Sequence, residues 1–268
     1  MGERLESDLR RARATSFDRV AAAYERSRPG YPVAAVEWLA GSEPCDVVDL
    51  GAGTGKLTAS LVVAGHRVVA VEPLPEMRAQ LEHAVPGVRA VAGSAEAMPL
   101  LAASTDVVTV AQAFHWFDHG PALREIARVL RPGGRVALVW NVRDETETWV
   151  QEMNEVMVGR TGVDRGAGQP IAASGLFGRV EHAVFRHGQE LDREALRELA
   201  LSRSYCAVMP DSERRPVLER VDALFDRHAQ GGTIRLPYLT ECFRALRQRG
   251  SPPPRFTQSR GIRHGPRS

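Results

Sequence analysis

The stretch Asp46-Val47-Val48-Asp49-Leu50-Gly51-Ala52-Gly53-Thr54-Gly55-Lys56-Leu57-Thr58 decides the fold. Its first five residues make a short, largely apolar run of the length of a buried parallel strand. Gly51, Gly53 and Gly55, two apart, then remove side chains where the chain must turn, and a helical pattern runs from Lys56 through Leu61 to Gly65. A strand, a side-chain-free turn and a helix N-terminus together suit a ligand held close to backbone.

Two fingerprints of nucleotide-binding turns are compared with it first. A phosphate-binding loop needs G-x-x-x-x-G-K-[ST]. Gly55-Lys56 supplies its end, but Leu50 and Leu57 stand where its first glycine and its metal-binding hydroxyl belong. A dinucleotide fingerprint needs G-x-G-x-x-G, and here Lys56 holds the third glycine's place while Gly55 comes one residue early. Glu72 lies 21 residues after Gly51, at the end of the next apolar run, as a ribose-binding acid should. The turn alone leaves a dinucleotide and other nucleoside ligands open.

Outward from the turn, strand and helix patterns alternate. Strand 46–50 and helix 55–64 precede strand 67–71 and helix 75–84. Strand 88–92 leads into a loop, and strand 106–111 into helix 121–130, with strand 135–140 after the Pro132-Gly133-Gly134 turn. Repeated βα units of this length predict a parallel sheet with helices on both faces. Beyond Asn141 the pattern predicts helix 145–158, a glycine-rich loop 161–169, strand 180–191, amphipathic helices 193–201 and 212–228, and a last strand within 233–246. Before the sheet, Ser7 to Arg28 reads as amphipathic helix ended by Pro29-Gly30-Tyr31-Pro32, with a short helix over 33–39. Gly250 to Ser268, proline-rich with scattered arginines, reads as a disordered basic tail.

Composition excludes several classes. The 43% hydrophobic and 25% charged fractions are those of an ordinary globular protein. No apolar run approaches the ~20 residues of a membrane span, and the charged N-terminus has no secretory apolar segment, so no membrane association and a cytoplasmic location are expected. Cys45, Cys206 and Cys242 are too few and too far apart for a disulfide framework or a zinc site. The seven arginines after Glu241 exceed the net charge of +2, so the chain before them is mildly acidic and carries no nucleic-acid footprint.

The run Asp49 to Gly55 resembles motif I of the class I S-adenosylmethionine-dependent methyltransferases. The resemblance continues through Val71-Glu72-Pro73, the loop Gly93-Ser94-Ala95-Glu96-Ala97-Met98-Pro99, and Ala111-Gln112-Ala113-Phe114-His115-Trp116-Phe117-Asp118. It ends with Arg128-Val129-Leu130-Arg131-Pro132-Gly133-Gly134, and the N-terminal Phe17-Asp18, Tyr24 and Arg28 to Pro32 also match. In detail it is similar to the type 11, trans-aconitate-methyltransferase-like branch, which acts on small molecules. The likeness is close over residues 16–140, and 145–247 carries only a compatible pattern.

That resemblance implies an α/β fold: a Rossmann-like, doubly wound seven-stranded sheet in the order 3-2-1-4-5-7-6, strand 7 antiparallel. It implies an N-terminal helical lid over 1–32, a methyltransferase domain over 33–248 with an insert at about 192–230 between strands 6 and 7, and the tail 249–268. The cofactor would be S-adenosyl-L-methionine, leaving as S-adenosyl-L-homocysteine. Gly51, Ala52, Gly53, Thr54 and Gly55 would carry its methionine part, and Glu72 would accept both ribose hydroxyls. Pro73 and Met77 would meet the adenine face, beside Ser94, Ala95 and Glu96. Ser94 stands where the branch usually has an aspartate for the adenine amino group; its neutral hydroxyl can make that contact, but as a weaker acceptor than a carboxylate. Gln112 would lie beside the transferred methyl, while Tyr24 and Arg28 would meet the sulfonium and the methionine carboxylate from the lid.

His115 and His119, four apart, lack a third ligand at metal spacing, so no metal is expected. Asp118 could cap a helix before Pro121 or face the substrate. If the acceptor is a hydroxyl or amine, His115 and Tyr31 are the candidate bases; a carboxylate acceptor needs none. The expected function is methylation of a small-molecule acceptor at oxygen, carboxyl or nitrogen by in-line transfer. A non-catalytic cofactor-binding protein on this fold, or an NAD(P)-dependent oxidoreductase, are the rival expectations.

Overall fold

The computed structural model describes residues 29–157, 166–201 and 211–248. The expected N-terminal helix with Tyr24 and Arg28, the expected tail from 249, and most of the expected glycine-rich loop lie outside the described residues. Seven strands form one sheet in the order β3-β2-β1-β4-β5-β7-β6. They are β1 (Asp46–Leu50), β2 (Arg67–Val71), β3 (Arg89–Val91), β4 (Thr105–Ala111), β5 (Leu130–Arg143), β6 (Glu181–Leu191) and β7 (Ile234–Leu246). β1 to β5 are mutually parallel, and β7 runs antiparallel to both β5 and β6. Both the order and the reversal of the seventh strand are those expected.

The helices are α1 (Val33–Ala40), α2 (Lys56–Val63), α3 (Pro75–Ala84), α4 (His119–Val129), α5 (Thr148–Val156), α6 (Gln169–Ala173), α7 (Arg193–Leu201) and α8 (Asp211–His228). α4 begins two residues before the expected start, with Pro121 inside its first turn. Proline is tolerated there because the first helical N–H groups have no partner within the helix. Asp118 occupies the position before this helix but makes no side-chain capping bond. The expected cap is therefore absent, and only the residue's place fits.

Val48, Leu50, Val108, Val110, Val136 and Leu138 pack on one sheet face with α4, and α1 and α2 cover the other through Val36, Leu39, Leu57, Leu61, Val107 and Val139. A separate apolar cluster joins α5, α7 and α8 to Leu191, Ile234, Leu236 and Tyr238. Its placement follows from strand lengths. β5 stops at Arg143, opposite Tyr238, whereas β7 begins at Ile234 and pairs with β6 as far as Leu191. The β6–β7 ribbon thus runs past β5 by the four residues 234–237, about 14 Å at strand rise. The three helices pack on this overhang at the carboxyl edge of the parallel strands, where an open α/β sheet forms its crevice.

Candidate active site

The glycine turn has three glycines in left-handed backbone, with φ of +67° at Gly51, +57° at Gly53 and +92° at Gly55. Packing explains two of them. A Cβ on Gly51 would lie 2.9 Å from the Cβ of Ala113, and one on Gly55 2.9 Å from Cγ of Leu81. A Cβ on Gly53 would meet only Sδ of Met77, at 3.9 Å. The middle glycine is thus not required by the protein's own packing, and it leaves open space above the backbone for something else.

Glu72 closes one side of this space. It is 4% exposed at the end of β2, and its carboxylate bridges two backbone N–H groups: Gly53 donates to Oε2 at 2.9 Å and Leu74 to Oε1 at 3.0 Å. Arg78 holds the same corner by donating to the carbonyls of Glu72 and Pro73, both at 2.7 Å. Each carboxylate oxygen has a second acceptor position beyond the backbone bond, which is what a pair of ribose hydroxyls needs. An open cradle at Gly53 beside a buried, acceptor-only carboxylate fits the ribose and methionine parts of S-adenosylmethionine. Pro73 is exposed, and Met77 is half-buried next to Gly53.

The loop after β3 is pinned on the same side. Ala95 and Met98 are buried, and Glu125 accepts the Met98 N–H at 2.9 Å. Arg128 is bidentate to Glu125, both bonds 2.6 Å, and donates to the carbonyls of Met98 and Leu100. Glu96 accepts the N–H of Asp118 at 3.1 Å, tying this loop to the one after β4. Burial raises the Glu96 carboxyl, but hydrogen bonds from Ser94, its own backbone and Asp118 outweigh it and hold the group below its ordinary range. The Ser94 hydroxyl is a donor to Glu96, which leaves its oxygen to accept, as an adenine amino group requires.

At the end of β4, Gln112 has φ of +55°, uncommon for a residue with a side chain. It is held there by its N–H to Val139 O at 2.9 Å and by Nε2 donating to Asn141 O at 3.2 Å. Phe114, His115 and Trp116 form one 3₁₀ turn. His115 is exposed and tilted against Trp116 at 4.7 Å, and Trp116 is 80% exposed. His119 instead stacks on Phe114 at 4.5 Å, with Nε2 3.2 Å from that residue's carbonyl oxygen. Tyr31 is half-buried against the α1–α2 cluster.

Two polar groups were not singled out from the sequence. Asp49 is fully buried beneath the turn, accepting from Thr58 at 2.6 Å and Thr109 at 3.1 Å; burial outweighs these bonds and pushes its carboxyl up to about 6. An acid inside an otherwise apolar strand was the available signal. Asn141, 8% exposed on β5, has Nδ2 3.0 Å from Gly30 O, and its Oδ1 lies 2.7 Å from Thr240 Oγ1 and 3.3 Å from His187 Nε2. No local pattern announces it, since Gly30 and Thr240 lie about a hundred residues away on either side and His187 lies 46 residues on.

Comparison with known proteins gives the family. A family model described as a methyltransferase domain matches residues 48–138, from β1 to β5. An uncharacterized methyltransferase of Mycobacterium tuberculosis is 45% identical over 243 residues, covering 88% of this chain and 97% of its own. An uncharacterized methyltransferase-like protein of Schizosaccharomyces pombe is 34% identical, covering 85% and 94%. Among solved structures, a protein described as a type II methyltransferase from Anaeromyxobacter dehalogenans superimposes with a TM-score of 0.57 at 26% identity, over 82% of this chain and 97% of its own.

Proposed function

Because the chain belongs to the class I S-adenosylmethionine-dependent methyltransferases, we propose that it passes the cofactor's methyl group to a small-molecule acceptor by in-line displacement. When bound, S-adenosylmethionine supplies a methyl carbon already activated by its sulfonium leaving group. The chain's own task is then to align the acceptor with that carbon and to exclude water.

Glu72 would hold the ribose, for its buried carboxylate has acceptor positions left after binding the Gly53 and Leu74 N–H groups. The backbone of Gly51 to Gly55 would receive the methionine part, with Met77 and Pro73 on the adenine face and Ser94, Ala95 and Glu96 at its edge. Gln112, fixed in its uncommon backbone conformation, would border the methyl. The observation that carries the cofactor assignment is Gly53, a left-handed glycine that no neighbour's packing requires, bonded directly to Glu72.

A small acceptor suits the cap of α5, α7 and α8 on the β6–β7 overhang, which roofs the carboxyl edge of the sheet on the α1–α2 side. The segment 1–32 would complete the enclosure as a lid, and α7 and α8, which lie between β6 and β7, contribute two of the three helices of the cap. No helix among the described residues is long and apolar enough to cross a membrane.

The test is transfer of labelled methyl from S-adenosylmethionine into a metabolite extract. Label is expected in a low-molecular-weight product, and not with Glu72→Ala. Label confined to protein or RNA added in parallel would overturn the small-molecule assignment.

A further inference from the structure

Asn141 is an amide buried between two apolar bodies. On its face of β5 it follows Val139 of the α1–α2 core, and beyond it lies the cap cluster with Leu236, Ile234 and Leu191. It is 8% exposed, and its register partner Thr240 is fully buried. The α1 helix needs no polar group to hold it to the sheet, since Val36 and Leu39 already pack with Val107 and Val139. An amide in this position is costly unless its polar atoms find partners.

The partners show what the amide holds. Its Nδ2 faces the carbonyl oxygens of Gly30 at 3.0 Å and Pro29 at 3.5 Å, which can only accept. That assigns the amide's orientation, so Oδ1 accepts from Thr240 Oγ1 at 2.7 Å and from His187 Nε2 at 3.3 Å. Thr240 and His187 brace the amide, and the amide grips the backbone just before α1. Among the described residues, the bonds from Asn141 are the only hydrogen bonds that Pro29 and Gly30 make. Gly30 is exposed, and a Cβ built on it would meet nothing within 4 Å, so packing does not fix it. The backbone carbonyl of Asn141 meanwhile accepts Nε2 of Gln112 at 3.2 Å. One residue thus joins the point where the N-terminal segment enters the fold to the end of β4.

We propose that Asn141 is a positioning residue for methyl transfer. Its side-chain amide clasps the Pro29-Gly30 backbone and so sets the point, beside Gln112, from which residues 1–28 reach the cofactor. The assignment rests on the cofactor site and the lid proposed above, and it names what holds that lid in register. Without the clasp, two hydrogen bonds no longer favour the bound placement of the segment. The fraction of molecules ready to bind then falls about tenfold or more, and the apparent affinity falls in proportion.

Two variants separate a clasp from a packing role. Asn141→Leu combined with Thr240→Val replaces the amide and its brace by apolar groups of similar size, so the urea midpoint should stay near that of the wild type. Thr240→Val alone removes the brace but leaves Nδ2 on the Gly30 carbonyl. Calorimetry with S-adenosylhomocysteine is expected to show at least about tenfold weaker binding by the double variant, and binding within about threefold of wild type by Thr240→Val. A folded double variant that binds within threefold of wild type would overturn the clasp, and so would a Thr240→Val that loses as much as the double variant. Asn141→Asp carries the test if the double variant does not fold. Its carboxylate keeps the acceptor bonds to Thr240 and His187 but opposes the carbonyls of Gly30 and Pro29, whereas the protonated acid can donate to one of them. Its affinity relative to wild type is expected to recover as pH is lowered from 8 to 5, and a ratio constant over that range would refute the clasp. A wild type that binds no S-adenosylhomocysteine would instead overturn the cofactor site itself, and the role of the clasp with it.

Discussion

Replacing Glu72 tests the site most directly, because its carboxylate has two jobs that different measurements can separate. In the free protein it accepts the Gly53 N–H at 2.9 Å and the Leu74 N–H at 3.0 Å while 4% exposed. Glu72→Ala strands both donors, at about 1–3 kcal/mol each, less whatever entering water recovers. A stability loss of about 2–4 kcal/mol is therefore expected in a denaturant titration. In the complex, two ribose hydroxyls donating to a charged acceptor are worth about 1.5–3 kcal/mol each, so the affinity for S-adenosylhomocysteine should fall by roughly two to four orders of magnitude. Glu72→Gln keeps one oxygen but sets an NH2 against one of the two backbone donors. It should keep more stability than the alanine and still lose at least about tenfold in affinity. Calorimetry on both variants, with circular dichroism to show the fold retained, gives the answer. A folded Glu72→Ala that binds S-adenosylhomocysteine within about threefold of wild type would remove Glu72 from the cofactor site.

The glycines should divide by cause. Gly55→Ala puts a Cβ 2.9 Å from Leu81 at φ +92° and should cost about 2–4 kcal/mol in urea titrations, whereas Gly53→Ala should cost only about 1 kcal/mol yet weaken cofactor binding at least tenfold. Equal effects of the two on stability would contradict this division. Arg128→Met deletes the clamp on Glu125 and on the carbonyls of Met98 and Leu100. It should lower stability by about 2–3 kcal/mol and speed hydrogen exchange in the 94–100 loop first, with uniform exchange counting against the clamp. Asp49 supplies a pH signature. Its folded pKa of about 6 lies above its ordinary 3.8, so the folded state holds this proton more tightly, and the stability it contributes is present below about pH 4 and lost as pH rises through 6. The loss is about 3 kcal/mol, opposite in sign to that of the depressed Asp46, Asp106, Asp144 and Asp222. Subtracting wild-type from Asp49→Asn stability at each pH isolates it, and a difference that stays flat between pH 4 and 6 would show that Asp49 is already ionised there.

How much of this is readable in the sequence depends on whether a residue's reason is local. The alternation of apolar runs with glycine turns announced β1 to β5 because a parallel strand buried on both faces needs a continuous apolar run, and each must be followed by a crossover. The end of β5 was not announced. Asn141 and Arg143 are polar, so the apolar pattern breaks at Trp140 while the ladder with β7 runs on to Arg143. Glu72 was found because an acid at a strand end is conspicuous, but its bond to Gly53 could not be, since only the folded turn brings that N–H to it.

The polar contacts of Asn141 show the same limit in its strongest form. Asn141 joins backbone at Gly30 to the Gln112 side chain just after β4 and to side chains on β6 and β7, and apart from Gln112 each partner alone reads as an ordinary strand or turn residue. What makes the set unusual is its position between two apolar clusters, where an aliphatic residue would pack at lower cost than an amide that must find several partners. A fold that needed only to join cap to body could do so with leucine at 141 and valine at 240. The hydrogen bonds here do more than satisfy buried groups. They orient one side-chain amide between Gly30, Thr240 and His187, while the backbone carbonyl of the same residue holds Gln112 at the sheet's carboxyl edge.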